Sequence, residues 1–185
     1  MTTRTNTLPP EEAAAELERW RADEAAVRAR MGPLGVATPA QVAGKSGLEV
    51  FAMMLAGELP RAPITDTLDF MLMEVAHGRA VFQGRPNRRH YNPLGSVHGG
   101  WFATLLDSAV GCAVHSILPA GKAYTTAELK INIVRPLLDS VPLVRAIGEV
   151  IHPGNRMATA DGRLVGPDGR LYAHASTTCF IYDAP

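Results

Sequence analysis

The 185-residue sequence has few of the features that mark several large classes of protein. Its two cysteines, Cys112 and Cys179, are too few for a disulfide framework or a zinc ribbon. No apolar run reaches the roughly 18 residues of a membrane-spanning helix, and residues 1–10 lack the apolar stretch of a secretory signal. The formal net charge is zero, whereas nucleic-acid-binding domains are usually basic. We therefore expect a cytoplasmic protein that binds neither nucleic acid nor membrane.

Sequence motifs for several common chemistries are missing as well. There is no Gly-x-Ser-x-Gly elbow of a serine hydrolase, no P-loop and no dinucleotide-binding fingerprint. The histidines do not stand at metal-ligand spacing from a cysteine or a carboxylate. The sequence accordingly predicts no cofactor and no metal.

The composition is that of a folded domain, with 46% hydrophobic and 19% charged residues. Residues 1–9 are interpreted as a frayed tail, and a helix is predicted from Pro10 until Gly32-Pro33 ends it. We expect residues 1–45 to be an N-terminal helical extension and residues 46–185 to form the main domain. The first helix carries a narrow apolar stripe, interrupted by Glu24, that should dock on the main domain or on a partner subunit: Ala13, Leu17, Trp20, Val27 and Met31.

Residues 46–185 show two helical segments, one extended stretch and four further strands. Helices are predicted over 46–58, where Ser46 and Glu49 have capping-box spacing, and over 101–118, with 63–67 as a connector. Residues 68–83 are expected to be extended, with a turn or a bulge at His77-Gly78. Four strands joined by short turns should follow, over residues 127–134, 141–151, 156–165 and 171–182. The pattern predicts an antiparallel α+β domain.

Apart from histidines, Asp107 is the only charged residue between His90 and Gly121. A helix that is apolar on nearly all sides is a buried helix. Burying an unpaired carboxylate costs several kcal/mol. Asp107 must therefore either accept hydrogen bonds from hydroxyl or backbone groups elsewhere, or face a cavity that binds a ligand.

The start of the same helix is rich in glycine, with Gly95, Gly99 and Gly100 close together. Amide N–H groups at a helix N-terminus lack partners within the helix, and the helix dipole adds positive potential there. Such a position can stabilise a developing oxyanion. Asp107 lies eight residues after Gly99, which is about 12 Å along the helix axis. That distance suits two antiparallel copies of the helix, each offering its N-terminus to the other's Asp107.

These residues carry a resemblance to a known family. The sequence is similar to the hotdog-fold acyl-CoA thioesterases, and most similar to the phenylacetic-acid-degradation (PaaI-like) type, over roughly residues 46–183. The first 45 residues are outside this similarity. The motifs that carry it are Asn92-Pro93-x-Gly95-x-x-His98-Gly99-Gly100 with Leu106-Asp107, then Thr126-x-Glu128-Leu129-x-Ile131 with Arg135-Pro136, and Gly154-Asn155-Arg156.

The resemblance implies an antiparallel sheet wrapped around one long helix, and hydrolysis of an acyl-CoA thioester to a free acid and coenzyme A. Asp107 would act as nucleophile or as general base on a water molecule, and the Gly99 N–H would polarise the thioester carbonyl. Asn92 and His98 would orient the thioester or a water, although His98 is also expected to cap the helix. Thr126, rather than its neighbour Thr125, would hydrogen-bond Asp107 or its water.

The resemblance also bears on partners. Arg89, Asn155 and Arg156 are candidate contacts for coenzyme A, although a basic loop at Arg85, Arg88 and Arg89 is more typical of a solvated surface. We expect a homodimer or a dimer of dimers, with the site shared between subunits. Two other functions remain open at this stage. They are a non-catalytic acyl-CoA-binding module and a hotdog dehydratase or hydratase.

Overall fold

The computed structural model describes residues 7–184. Residues 1–6, most of the predicted tail, lie outside the described part. The helices are α1 (Pro10–Arg28), α2 (Pro39–Val42), α3 (Gly47–Ala56), α4 (Pro63–Thr67) and α5 (Gly99–His115). The strands are β1 (Phe70–Ala76), β2 (Arg79–Gly84), β3 (Lys122–Ile133), β4 (Val144–Pro153), β5 (Met157–Val165) and β6 (Leu171–Asp183). A short 3-10 turn spans Arg88–His90.

All six strands form one antiparallel sheet in the order β1-β2-β4-β5-β6-β3. The sheet packs around α5, whose Phe102, Leu105 and Leu106 are almost fully buried. Close approach of helix and sheet depends on glycine. A Cβ atom on Gly162 would lie 2.7 Å from Val110 Cγ1, and one on Gly148 would overlap the Ala109 carbonyl. The predicted α+β class and hotdog arrangement are confirmed.

The N-terminal segment covers the opposite face of the sheet. Strand β1 alternates: Phe70 packs in the cluster around α5, whereas Met71 and Met73 pack with Val27 of α1. Trp20 and Val27 are buried, as the predicted stripe requires. Helix α1 thus docks on the body of its own chain.

A buried polar network fixes α1 in place. Glu24 is 7% exposed and accepts hydrogen bonds from Gln83 Nε2 at 2.9 Å and from Arg85 Nη2 at 3.0 Å. Arg145, on β4, donates to Gln83 Oε1 at 2.9 Å and stacks its guanidinium 4.6 Å from the centre of the Trp20 ring. Glu24, which interrupts the apolar stripe of α1, therefore links this helix to the sheet.

The capping box and the turns agree with the sequence. Ser46 accepts from the Glu49 N–H, and Glu49 accepts from the Ser46 N–H at 2.7 Å. The chain reverses between β5 and β6 at residues 166–169, where the Gly169 N–H donates to the Gly166 carbonyl. The tail prediction was wrong at Leu8, because its N–H donates to the Asp168 carbonyl at 2.8 Å in the same turn.

Three other expectations need correction. Residues 63–67 form helix α4 rather than an irregular connector, because Pro63 starts the helix with a preset φ and no N–H to satisfy. Strand β3 begins at Lys122 rather than at residue 127, since Gly121 adopts a positive φ that turns the chain immediately before the strand. Strand β3 pairs with β6 and not with β4, so these two consecutive strands are not a hairpin.

The loop between β3 and β4 is instead tied to the start of α5. Leu137 is fully buried, and its carbonyl accepts a hydrogen bond from the Val97 N–H at 2.9 Å. Both contacts hold the β3–β4 loop against the N-terminus of α5 before β4 begins. The loop thereby becomes one wall of the candidate site.

Candidate active site

Asp107 and Thr126 are in direct contact across the interface between α5 and β3. Thr126 Oγ1 donates to Asp107 Oδ1 at 2.9 Å. Asp107 is half-buried, so α5 is less buried in the single chain than the sequence predicted. Within residues 7–184, Asp107 forms no ion pair. A hydroxyl group, and no cation, thus holds this carboxylate.

A β-bulge decides which threonine faces α5. The register of β3 against β6 shifts between Thr126 and Glu128, and Thr125 is exposed whereas Thr126 is half-buried. A bulge bends its strand and re-aims the neighbouring side chains. The Glu128 carbonyl at the bulge accepts from Thr177 Oγ1 at 2.7 Å, which pins the irregular backbone to β6. Thr126 therefore has a fixed direction toward Asp107.

His98 caps the N-terminus of α5. Its Nδ1 accepts a hydrogen bond from the Gly100 N–H at 2.9 Å. This leaves the preceding Gly99 N–H without an acceptor in the part of the chain that the structure describes. Helix N-terminal N–H groups carry partial positive charge and bind anions. The Gly99 N–H is thus available to a carbonyl oxygen, while His98 supplies the cap that the sequence led us to expect.

Asn92 shapes the loop before α5. Its Oδ1 accepts from the Leu94 N–H at 2.9 Å and from the Ser96 N–H at 3.3 Å, and its Nδ2 donates to Ser96 Oγ at 3.2 Å. The amide carries two N–H groups, so one donor remains after the contact with Ser96. Asn92 therefore has a loop-forming task and one hydrogen-bond donor that a ligand could use.

Asn92 and Gly99 share a groove of about 330 Å³ at the start of α5. The β3–β4 loop forms its other wall, and the groove is lined by Asn92, Ser96, Val97, Gly99, Phe102, Ile133, Val134, Arg135 and Pro136. Arg135 is exposed and forms no ion pair within residues 7–184. The sequence offered Arg135 only as part of the Arg-Pro motif after β3, and its place in the groove follows from the loop path.

Two pairs of candidate residues therefore form separate groups in one chain. Asp107 contacts Thr126, whereas Asn92 and Gly99 line the groove, of which Asp107 is not a part. Gly99 and Asp107 are both on α5, separated along its axis by about 12 Å. One chain alone does not bring the carboxylate and the free N–H to the same reacting carbon.

Cys112 is the other potential nucleophile on α5 near Asp107. Burial is the main cause that raises the pKa of the Cys112 thiol to about 12, and the neighbouring Asp107 contributes in the same direction. Only the thiolate of a cysteine is a good nucleophile. Cys112 is therefore a neutral thiol at physiological pH, and Asp107 is the stronger candidate for the reaction.

The predicted contacts for coenzyme A lie on the surface and remain untested. Arg89 pairs with Asp69 at 3.4 Å, and the neighbouring Arg85 and Arg88 also have acidic partners in the folded chain. Asn155 and Arg156 are exposed in the turn between β4 and β5. Arg156 forms no ion pair with any residue from 7 to 184, so its guanidinium is available to a phosphate group.

The structure contains no cluster typical of a metal site: nowhere in residues 7–184 do three His, Cys, Asp or Glu side chains converge. In the same part of the chain, every helix is too short or too polar to span a bilayer.

Comparison with known proteins tests the resemblance to hotdog thioesterases. The family model of the thioesterase superfamily matches residues 94–173. This segment contains α5, Asp107, Thr126 and most of the sheet. The predicted resemblance to hotdog thioesterases of the PaaI-like type is confirmed.

Solved structures show the same similarity. A phenylacetic acid degradation-related protein from Ralstonia eutropha is 28% identical with a TM-score of 0.64, over 70% of this chain and 98% of that one. A thioesterase family protein from Silicibacter pomeroyi is 26% identical with a TM-score of 0.61, over 66% and 90%. A mutant of the phenylacetic acid degradation protein PaaI from Thermus thermophilus is 27% identical with a TM-score of 0.57, over 64% and 97%.

A search of curated proteins finds no match to this chain. The family model and the solved structures together support thioester hydrolysis as the general activity. They leave the acyl group and the catalytic residues to be inferred from the site.

Proposed function

We propose that this protein hydrolyses an acyl-CoA thioester to a free acid and coenzyme A. The observation that carries the proposal is the half-buried Asp107 carboxylate, which is held by Thr126 and has no cationic partner among residues 7–184. A carboxylate in that state can attack a thioester carbonyl or remove a proton from water. The similarity to thioesterases supports the same chemistry.

The Gly99 N–H would stabilise the oxyanion that forms when the thioester carbonyl is attacked. Donors aimed at developing negative charge are worth about 10²–10³ in rate where they have been removed by mutation. The remaining Asn92 N–H and the His98 cap would orient the thioester or the water at the start of α5. Arg89, Asn155 and Arg156 are the proposed contacts for coenzyme A, of which Arg156 has the freest guanidinium.

We further propose that the complete site is formed by two chains. The carboxylate and the free N–H are about 12 Å apart on one α5, so an antiparallel second α5 would bring Gly99 of one chain to Asp107 of the other. Strand β3 is at the edge of the sheet, with one side unpaired within residues 7–184, and such an edge readily pairs with a second strand. This arrangement predicts a homodimer or a dimer of dimers.

The test is thiol release from a panel of acyl-CoA esters by the parent and by Asp107→Asn. The substitution keeps the size of the side chain and removes its charge, so hydrolysis should fall about 10²-fold or more. Asp161→Asn is the matched control, since Asp161 is an exposed carboxylate of β5 that forms no ion pair within residues 7–184. Parent-like rates in Asp107→Asn would contradict the proposed role. Tight binding of the esters without turnover by the parent would instead indicate an acyl-CoA-binding module.

A further inference from the structure

A second cavity lies between α5, the β1 end of the sheet and the N-terminal segment. Its volume is about 190 Å³, and its walls are almost entirely apolar. Helix α3 contributes Phe51, Met54 and Leu55, and the sheet contributes Phe70 and Phe82. An apolar protein cavity of about 150 Å³ holds a benzene molecule, so this one has room for roughly eight carbon atoms.

The cavity begins beside the candidate carboxylate. Ser108, the residue after Asp107, lines it, and so does Cys112, one helical turn further along α5. The Ser108 hydroxyl donates to the Thr104 carbonyl at 2.8 Å, so its hydrogen-bond donor is already used within the helix. The Cys112 thiol is uncharged at neutral pH. The wall nearest the reacting groups is therefore neutral and suits an apolar chain.

Residues of the N-terminal segment form another part of the wall. Val27 at the end of α1 and Met31 just after it line the cavity, although both precede the segment that matches the thioesterase family model. The buried Glu24, one turn before Val27, fixes α1 against β2 through Gln83. This wall is thus held by the fold and does not depend on a ligand to order it.

Arg61 is the one charged residue of the lining. Its Nη1 is 3.4 Å from Thr65 Oγ1 and its Nη2 is 3.5 Å from Asp66 Oδ1. Its Nε–H is buried and has no hydrogen-bond partner within residues 7–184, so the apolar wall contains one free N–H group. The aliphatic stem of the same side chain can cover an apolar ligand. No carboxylate lines the cavity, so nothing there favours a positively charged acyl group.

We propose that this cavity binds the acyl group of the thioester, and that Met31 and Val27 of the N-terminal segment set its maximum size. The inference rests on the proposed function and names its substrate class. The substrate carries an uncharged, apolar acyl group of roughly eight carbons. The carbonyl lies at the Asp107 face of α5, and the distal carbons lie among Met54, Phe51 and Met31.

The first test fills the cavity. In Met54→Trp, kcat/KM for octanoyl-CoA should fall about tenfold or more relative to kcat/KM for acetyl-CoA. A well-packed apolar pocket distinguishes two substrates that differ by one methylene group by about that factor. Met53→Trp is the matched control, because Met53 is the adjacent half-buried methionine on α3 and does not line the cavity. Equal ratios in the two variants would overturn the proposal.

The second test enlarges the cavity and covers the case in which Met54→Trp fails to fold. Met31→Ala should raise the ratio of dodecanoyl-CoA to octanoyl-CoA hydrolysis about tenfold. Met73→Ala is its control, with the same truncation in the same apolar cluster but outside the cavity. If the ratio rises equally in Met31→Ala and Met73→Ala, loosened packing is responsible and not a larger pocket. Octanoyl-CoA compared with 3-phenylpropanoyl-CoA distinguishes an aliphatic from an aryl substrate.

Binding of S-octyl-CoA and S-ethyl-CoA, two thioethers that cannot be hydrolysed, separates this inference from the proposed function. Calorimetry should show that Met54→Trp weakens the binding of S-octyl-CoA about tenfold more than the binding of S-ethyl-CoA. If the protein shows that binding difference but hydrolyses no ester, the cavity is the acyl-binding site and the proposed thioesterase activity is wrong. If the protein hydrolyses esters but Met54→Trp and Met53→Trp have identical affinities for the thioethers, the activity stands and the cavity does not bind the acyl group.

Discussion

The Thr126 hydroxyl of edge strand β3 donates to the Asp107 carboxylate of α5 at 2.9 Å. This contact joins the strand at the sheet's open edge to the only charged residue of the central helix. A hydroxyl orients a carboxylate without neutralising it, whereas an arginine would hold it in an ion pair. Asp107 is therefore positioned by a hydroxyl group and not by an ion pair within residues 7–184.

Removing that hydroxyl should slow hydrolysis. In Thr126→Val, which keeps the branched shape, kcat should fall about tenfold, because one neutral hydrogen bond to a charged group contributes about 1.5 kcal/mol. Thr126→Ser restores the hydroxyl and should restore most of the rate, which a purely structural role for the methyl group would not explain. Thr125→Val, at the adjacent exposed residue, is the control. Steady-state rates on the best acyl-CoA ester measure the effect.

Complementation should show that two chains share the site. Asn92→Ala and Asp107→Ala should each inactivate a homodimer. In a two-fold dimer with one chain of each kind, one site collects both lesions and the other collects neither. Random mixing makes about half of the dimers hybrid, so about a quarter of parent activity should return.

The mixing requires co-expression or joint refolding, because a tight dimer can exchange chains slowly. Light scattering at micromolar concentration provides the prior check and should give at least twice the 19.8 kDa chain mass. Verified hybrids that are as inactive as either parent would place the whole site within one chain.

The buried Glu24 should make the stability of the fold depend on pH. Burial raises the pKa of Glu24, but hydrogen bonds from Arg28 and the charge of Arg85 outweigh it, so the pKa lies below its ordinary value. A carboxyl group whose pKa is lower in the folded than in the unfolded chain stabilises the fold above the unfolded value of about 4.3. That contribution is lost as the pH falls through the folded value.

Glu24→Ala should therefore lower the free energy of unfolding by about 2 kcal/mol at pH 7, and the difference should shrink below about pH 4. Glu18→Ala is the control on the same helix. Its carboxylate is exposed and, among residues 7–184, forms an ion pair with Arg21 alone, so its loss should cost about 0.5 kcal/mol or less. Urea unfolding at both pH values measures each difference, and equal costs for the two variants at pH 7 would contradict the buried role.

Local patterns predicted much of the fold because their physical causes are local. The Ser46 and Glu49 spacing predicted a helix start, and the short gap between the strands predicted over 156–165 and 171–182 predicted the β5–β6 turn, since caps and turns depend on a few adjacent residues. Strand order was not predicted. Strand β3 pairs with β6 and not with β4, and the loop between β3 and β4 buries Leu137. Both are contacts between distant parts of the chain.

The candidate site divides in the same way. The sequence by itself determined that Asp107 is an isolated charge on a mostly apolar helix and that glycines open the N-terminus of that helix, since both facts follow from residue type and spacing. Only the tertiary structure decided that the bulge aims Thr126 at Asp107, that Arg135 lines the groove with Asn92, and that Met31 reaches the cavity beside Ser108. These relationships depend on which strands pair and on how the N-terminal segment packs, and no local pattern encodes them.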